Sequence, residues 1–358
     1  MRETVSNAFS RRDFLHGTLV SPLALELDFN GKEKGVTVVE RGSKVNLGNE
    51  EIEISIRKDN GGIHQIRDKV TGTTLRDVNG DSPASHWGIN FYHSDFKLLL
   101  TNSFRASRPS ISIHGDKNER RIELTWENPR LVAPFDESEG QTFDATITVD
   151  LTLEAGAKVA RWNMGVENRS DLAIKHLECP QITDITPVDD NGNDAVIVPN
   201  HEGRRFPEPA KLDYSPYHSY PTGYGTMQFT AYTAPNGGFY SDTRDSEGYE
   251  KRFLWSPSRG SKEVLSFKAR FLSPLLPGND VKIPYSTTFG VLRGDWYDAA
   301  HRYRQWVENA GPLKDVKPEI PEWILDKGVT YQLRSYTRFE RPQESVEFSE
   351  VADRVLGY

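Results

Sequence analysis

Residues 52–75 read IEISIRKDNGGIHQIRDKVTGTTL, and this stretch indicates the fold class of the chain. Its first five residues alternate apolar and polar side chains, as a half-buried β-strand does. Asn60–Gly62 then supplies a turn, Ile63–Arg67 continues as a second strand, and the chain turns again at Thr71. The stretch therefore predicts consecutive antiparallel strands that are joined by tight turns.

The same short alternating unit recurs from Val36 to Phe289. Further strands are predicted at residues 111–113, 122–126, 143–153, 159–166 and 264–271. No long helical period interrupts them. Many strands in sequence, without alternating helices, favour packed antiparallel sheets over a parallel α/β fold. We therefore predict a mainly β protein with one large β domain over residues 35–290.

The pattern changes after Gly290. Apolar side chains then recur at the spacing of one helical face, at positions 296, 299, 300, 303, 306 and 307. Asp295 is suited to cap the start of this helix, and Asp298 places a negative charge in its first turn. Residues 291–320 are therefore predicted to be a linker helix followed by a loop.

The last segment, residues 321–358, predicts one strand over 329–333 and one helix over 343–356. A single strand and helix cannot bury their own apolar faces, so this unit resembles the first βα unit of a larger parallel structure. We expect the chain to be a fragment or truncated product of a longer protein. The alternative is a short unit that docks back on the β domain.

The N-terminal segment, residues 1–34, predicts an export signal or a disordered arm. Residues 10–15, SRRDFL, look like the twin-arginine export signature, in which a receptor reads Arg11 and Arg12. An apolar stretch follows over residues 17–25. A twin-arginine signal predicts a periplasmic or extracellular protein, whereas a plain basic arm would leave it in the cytoplasm.

Composition excludes several classes of function. The 358 residues carry 44 Lys and Arg against 52 Asp and Glu, a net charge of −8, so a nucleic-acid partner is not expected. No apolar run reaches the roughly 18 residues of a membrane helix. Cys179 is the single cysteine, which excludes an internal disulfide and a cysteine metal cluster. Residues 189–194 depart from the calcium-loop pattern, so we predict no metal and no cofactor.

Several stretches together resemble a known family. Residues 59–72 resemble the opening hairpins of the large β-sandwich that precedes many glycoside hydrolase barrels, and residues 162–168 resemble its central strand. Residues 199–209 and 220–229 resemble two of its loops, and residues 295–300 resemble the helix that links sandwich to barrel. The family is a set of glycoside-hydrolase-like proteins, much of it described only as a domain of unknown function.

The resemblance implies a large two-sheet antiparallel supersandwich of the galactose-mutarotase type, then a linker helix and one βα unit of a truncated (β/α)8 barrel. It also implies that the catalytic carboxylates lie on later barrel strands, outside this chain. We therefore predict the carbohydrate-facing, N-terminal portion of an exported glycoside hydrolase, and leave open whether this chain is itself an enzyme. The alternatives are a non-catalytic carbohydrate-binding or structural sandwich, and an epimerase that uses His201 with Glu202 or Glu208.

Two loops and one turn supply candidate contacts to an oligosaccharide, polysaccharide or glycoside. Charged groups on the first loop could hydrogen-bond sugar hydroxyls, or could only brace the sandwich. Tyrosines on the second loop could stack on sugar rings, or could only pack together. Carboxylates in the turn after Tyr240 could serve in catalysis, but such residues are usually solvated turn formers. The predicted substrate-binding residues are His201, Glu202, Arg204, Arg205, Tyr220, Tyr224, Gln228, Asp245 and Lys251; no catalytic residue is assigned.

Overall fold

The computed structural model describes residues 35–77, 84–92, 99–132, 140–189, 191–201, 203–222, 224–225, 227–258, 263–273 and 277–309. These residues form 21 strands, two 3-10 helices and one α-helix. They belong to one unit, within Met1–Lys314. The predicted export segment and the predicted βα unit over 321–358 lie outside the described residues.

The strands occur in the following order. They are β1 (Thr37–Arg41), β2 (Lys44–Gly48), β3 (Ile52–Arg57), β4 (Ile63–Asp68), β5 (Thr74–Asp77), β6 (Gly88–Phe91), β7 (Leu100–Asn102), β8 (Ser110–Gly115), β9 (Glu119–Glu127), β10 (Ala145–Glu154), β11 (Val159–Asn168), β12 (Ile174–Ile185), β13 (Ala195–Val198), β14 (Arg204–Pro207), β15 (Tyr217–Tyr220), β16 (Phe229–Thr233), β17 (Gly238–Thr243), β18 (Lys251–Pro257), β19 (Leu265–Leu272), β20 (Val281–Lys282) and β21 (Thr287–Leu292). The 3-10 helices are Ser103–Arg105 and Pro209–Lys211, and helix α1 is Trp296–Asn309.

The strands form three sheets. The five-stranded sheet has the order β1-β2-β3-β4-β5, and the six-stranded sheet has the order β15-β18-β19-β12-β6-β7. The ten-stranded sheet follows β14-β13-β16-β17-β21-β11-β10-β9-β8, with β20 beside β11. The strand pairs within them are antiparallel. The predicted mainly β, antiparallel fold is thus confirmed.

Alternating side chains build the core between the ten-stranded and six-stranded sheets. Along β19, every second residue from Leu265 onward is buried, as the period of a half-buried strand requires. Phe267 of the six-stranded sheet lies 5.1 Å from Phe289 of the ten-stranded sheet, measured between ring centroids. Each such buried side chain stabilises the fold by about 1.5–3 kcal/mol. Each of these two sheets therefore buries its apolar face against the other.

A buried histidine joins an early turn to this core. The Trp162 indole N–H donates to His86 Nε2 at 2.9 Å, and His86 Nδ1 lies 2.8 Å from the carbonyl oxygen of Gly61. Because an indole nitrogen can only donate, Nε2 must accept and Nδ1 must carry the proton. Burial lowers the pKa of His86 to about 4, so the ring is neutral at pH 7. Gly61 is required here, since a Cβ atom would lie 2.2 Å from the Trp126 ring.

Helix α1 lies on the outer side of the ten-stranded sheet. The Tyr297 amide donates to the Asp295 carboxylate at 2.7 Å, which confirms the predicted cap. Ala299 and Tyr303 are buried against apolar side chains of that sheet. Trp296, which helical spacing placed on the same face, is 57% exposed, so this position of the face is not buried against the sheet. Spacing fixes where a side chain points, but not whether a neighbouring element lies opposite it. No described helix has the length and apolar character that crossing a membrane requires.

Candidate functional site

A buried lysine lies at the end of the sandwich where β15 and β17 end and where β16 and β18 begin. Lys251, the first residue of β18, is 1% exposed. Its ammonium donates to Gln228 Oε1 at 2.9 Å and pairs with the Asp245 carboxylate. The rings of Tyr220 and Tyr285 lie 4.8 and 4.3 Å from Nζ, measured to their centroids. We call these five residues the Lys251 cluster.

The cluster compensates the cost of burying a charge. Burial lowers the pKa of Lys251 to about 8, and the hydrogen bond and charge of Asp245 oppose that effect. The two tyrosine faces add cation–π attraction, which contributes roughly 0.5–2 kcal/mol per pair. At pH 7 the ammonium therefore stays charged, held by a carboxylate on one side and by aromatic rings on the other.

The Asp245 carboxylate also shapes the turn that follows β17. It accepts the backbone N–H groups of Glu247 at 2.9 Å, Gly248 at 3.2 Å and Tyr249 at 2.7 Å. Asp242, another carboxylate that follows Tyr240, is 1% exposed and accepts the Tyr240 hydroxyl at 3.0 Å. The Asp245 carboxylate thus holds the backbone of the turn, and the Asp242 carboxylate is engaged by the hydroxyl groups of Tyr240 and Thr288. This favours the structural reading of the turn.

Gln228 connects the cluster to neighbouring elements. Its side-chain N–H donates to the Asp245 carbonyl at 2.8 Å, and the Thr243 hydroxyl donates to its Oε1 at 2.7 Å. Burial raises the pKa of Tyr303 on helix α1 to about 12, and its proximity to Gln228 opposes that effect. Gln228, Asp245 and Lys251 are each at most 3% exposed, so they can reach a ligand only through the groups they hold in place. Their predicted binding role stays a prediction.

Tyrosine rings form the accessible surface of this end. Tyr220 is half-buried above the Lys251 ammonium, and Tyr249 is 43% exposed. The turn after β17 passes next to the Tyr220 hydroxyl, because a Cβ atom on Gly248 would lie 3.9 Å from it. A buried polar base thus carries aromatic rings that are partly open to solvent.

A second pair of rings belongs to the adjoining loops. The His201 and Tyr224 rings lie 4.1 Å apart, and the His201 amide donates to the Tyr224 carbonyl at 2.8 Å. Tyr224 is 51% exposed. Gly225 lets the loop fold back on β15, because a Cβ atom there would lie 1.9 Å from the Ser219 carbonyl oxygen. The structure thus brings two of the predicted residues into direct contact.

The predicted arginines lie elsewhere. Arg204 and Arg205 are exposed on β14, the edge strand of the ten-stranded sheet, and Arg205 donates to the Asn193 carbonyl at 3.4 Å. Across the described ranges, no hydrogen bond, ion pair or ring contact joins either arginine to the Lys251 cluster or to Tyr224. Glu202 lies outside the described residues. The predicted residues therefore fall into three groups rather than one.

The epimerase alternative gains no support from these contacts. Glu208 pairs with Lys211 beside a 3-10 helix, and no contact in the described part of the chain joins it to His201. Within the same residues, no group of three or more His, Cys, Asp or Glu side chains is arranged to hold a metal ion.

Two members of the site were missed from the sequence. Tyr285 lies between β20 and β21, and Tyr303 was assigned only to the apolar face of the linker helix. Neither stands near Lys251 in the chain, and no local pattern points to a shared site. Only the pairing of β17 with β21 and the docking of α1 bring them together.

Comparison with known proteins supports the fold. A family model described as Domain of unknown function (DUF6259) matches residues 281–354, a minor part of the chain. No curated protein matches the sequence. Among solved structures, α-N-acetylgalactosaminidase NagBb from Bifidobacterium bifidum, in complex with Gal-NHAc-DNJ, is similar with a TM-score of 0.54 and 11% identity. That match covers 75% of this chain and 39% of NagBb.

Two further structures show weaker similarity. The GH36 α-galactosidase AgaB from Geobacillus stearothermophilus has a TM-score of 0.47 and 10% identity, over 74% of this chain and 42% of that one. A protein of Escherichia coli K12 described as a putative aldose 1-epimerase has a TM-score of 0.43 and 9% identity, over 72% of this chain and 98% of that one.

The NagBb similarity supports the predicted antiparallel β-sandwich fold. At 11% identity it shows the fold alone. The chain spans about two fifths of NagBb, so the activity of any larger protein is a matter for proposal.

Proposed function

We propose that the described sandwich is the carbohydrate-facing module of a glycoside hydrolase. The observation that carries this is the Lys251 cluster, a dry polar base that fixes Tyr220 at the end of the sandwich. Tyr224, with its exposed ring beside His201, extends the aromatic surface. Flat rings suit the C–H faces of sugars, and the hydroxyl groups at their rims suit the sugar's polar edge. The fold similarity to an α-N-acetylgalactosaminidase supports the substrate class.

The bond-cleaving residues belong, in this proposal, to a barrel that follows helix α1. Glycosidases commonly use two carboxyl groups roughly 5–10 Å apart, one on each side of the scissile bond. Near the tyrosines, Asp242 and Asp245 are buried and bonded to the protein, so neither is available as acid or base. NagBb extends well beyond the matched region, which leaves room for such a barrel in a protein of this kind.

Calorimetry tests sugar binding by this surface. The full chain is titrated with methyl α-glycosides of N-acetylgalactosamine, galactose and glucose, and with their oligosaccharides. Tyr220→Ala is expected to raise Kd about tenfold, because one stacked ring contributes on the order of 1 kcal/mol. Tyr217→Ala is the matched control, since Tyr217 lies on the same strand and is 57% exposed but is outside the cluster. The proposal fails if no sugar binds, or if Tyr220→Ala and Tyr224→Ala both bind as the wild type does.

The second candidate is a non-catalytic sandwich. For the described part of the chain it is favoured because the carboxylates of Asp242 and Asp245 both accept hydrogen bonds within the protein. Aryl α-glycosides test where the catalytic residues lie. In both candidates the full chain should bind sugar without turnover. Turnover by the purified full chain would place catalytic residues within it and would contradict both candidates.

A further inference from the structure

A second cleft opens at the opposite end of the sandwich from the Lys251 cluster. It lies where β16 ends and β17 begins, between the β4–β5 turn and the junction of β21 with α1. Its volume is about 660 Å³. Pockets that hold small molecules commonly measure roughly 300–1,000 Å³, so one sugar ring and its neighbour would fit.

Glycines keep this cleft open. Gly237 has a φ of +122°, and a Cβ atom there would lie 3.6 Å from the hydroxyl oxygens of both Thr71 and Thr73. Gly294 has a φ of +136°, and a Cβ atom there would lie 2.0 Å from the Asp298 carboxylate. Residues with side chains rarely adopt such angles. The Thr71 hydroxyl donates to the Thr73 hydroxyl at 2.8 Å, and the Thr73 hydroxyl donates to the Asn236 carbonyl oxygen at 3.1 Å, so each offers the cleft one remaining acceptor position.

The charges of the cleft disfavour an anionic ligand. Arg293 lines the cleft, but its Nε and Nη2 donate to Asp68 at 2.8 and 2.6 Å, and its Nη1 pairs with Glu51. One guanidinium thus lies between two carboxylates, which leaves a local charge of −1. A phosphate or carboxylate ligand would find no unpaired cation in that group.

Neutral hydrogen-bonding groups complete the wall. The Asn236 side chain is exposed, and across the residues that the structure describes neither it nor the Thr74 hydroxyl has a protein partner. Pro187 and Pro235 add apolar surface to the same wall. Alternating hydroxyl, amide and apolar surface matches a neutral polyhydroxylated ring, whose edge is polar and whose faces carry C–H groups.

We propose that this cleft is a second binding site, for a neutral sugar ring. The inference does not rest on the tyrosine surface, because the cleft shares no residue with the Lys251 cluster. The proposed function as a glycosidase module gives this cleft no role. A protein with sugar sites at both ends of the sandwich could hold a polysaccharide at two points.

Saturation-transfer NMR on the full chain tests the site. The probes are methyl glycosides of galactose, N-acetylgalactosamine, glucose and mannose, with galactose 6-sulfate as the anionic comparison. Asn236→Trp, which fills the cleft, is expected to raise Kd at least tenfold, and Thr74→Val about fivefold, because each removes polar contacts to the ring. Galactose 6-sulfate should bind more weakly than galactose.

The Tyr220→Ala variant distinguishes this site from the proposed one. Binding that survives Tyr220→Ala but is lost in Asn236→Trp supports the cleft. Binding that is lost in Tyr220→Ala and unchanged in both cleft variants overturns the cleft and leaves the tyrosine surface standing. The absence of any wild-type signal overturns the cleft as well. Circular dichroism and the thermal midpoint confirm that each variant is folded.

Discussion

Each end of the sandwich holds a positively charged side chain, and the two side chains have different surroundings. At one end, Lys251 is 1% exposed and is matched by a single carboxylate, an amide and two rings. At the other, the Arg293 side chain is 22% exposed and lies between two carboxylates. The first arrangement is buried and closed, and the second borders an open cleft. The first end therefore holds tyrosine rings against a buried charge, whereas the second leaves its charged groups within reach of solvent.

The largest expected effect comes from the closed end. Lys251→Met leaves Asp245 buried without its cation, and should reduce the free energy of unfolding by about 3–5 kcal/mol. Urea unfolding at neutral pH measures the loss. Adding Asp245→Asn removes the uncompensated charge and should recover part of the stability. If Lys251→Met lowers the free energy of unfolding by no more than about 1 kcal/mol, water must reach the Asp245 carboxylate at the closed end.

Acid should weaken the core between the two ends by a smaller amount. Unfolded His86 gains a proton near pH 6.5, whereas the folded ring stays neutral until about pH 4. The unfolded state therefore binds more protons in this window, and stability falls as the pH drops. From this residue alone we expect a loss of about 2 kcal/mol between pH 7 and pH 5.

His86→Gln isolates the effect in urea unfolding curves at both pH values. Glutamine can still donate toward Gly61 and accept from Trp162, but it does not titrate. Its stability should fall less on acidification than that of the wild type. An equal fall in both proteins would contradict the neutral, buried assignment of His86.

Substitution of Arg293 at the open end should lower the free energy of unfolding by less. Arg293→Met removes the partner of Asp68, which is 1% exposed, but water reaches the arginine side chain, so we expect a loss of about 1–2 kcal/mol. Arg293→Lys keeps the charge but not the two parallel bonds to Asp68, and should lose less. Thermal unfolding of the two variants ranks them. A loss as large as that of Lys251→Met would erase the contrast between the ends.

The smallest effect is expected at the cleft wall. Asn236→Ala removes an exposed side chain in a turn and should change the free energy of unfolding by no more than about 0.5 kcal/mol. Denaturant unfolding checks this. A larger loss would show that Asn236 holds the β16–β17 turn, and the cleft would then be less free to serve a ligand.

The sequence by itself determined the antiparallel β class, the hairpins of residues 52–75, and the capped helix that begins after Asp295. These features depend on local periods of two and 3.6 residues and on turn and cap residues, which neighbouring side chains are enough to specify. The candidate loops around Tyr220 and Tyr224 could also be predicted, because aromatic and glycine residues are concentrated there.

Only the tertiary structure decided which of these residues meet. It joined Tyr285 to Lys251, separated Arg204 from both, exposed Trp296, and opened a cleft between turns that are far apart in the chain. The physical reason is that strand order and helix docking are set by the combined burial of whole sheet faces. No short stretch of sequence contains that information.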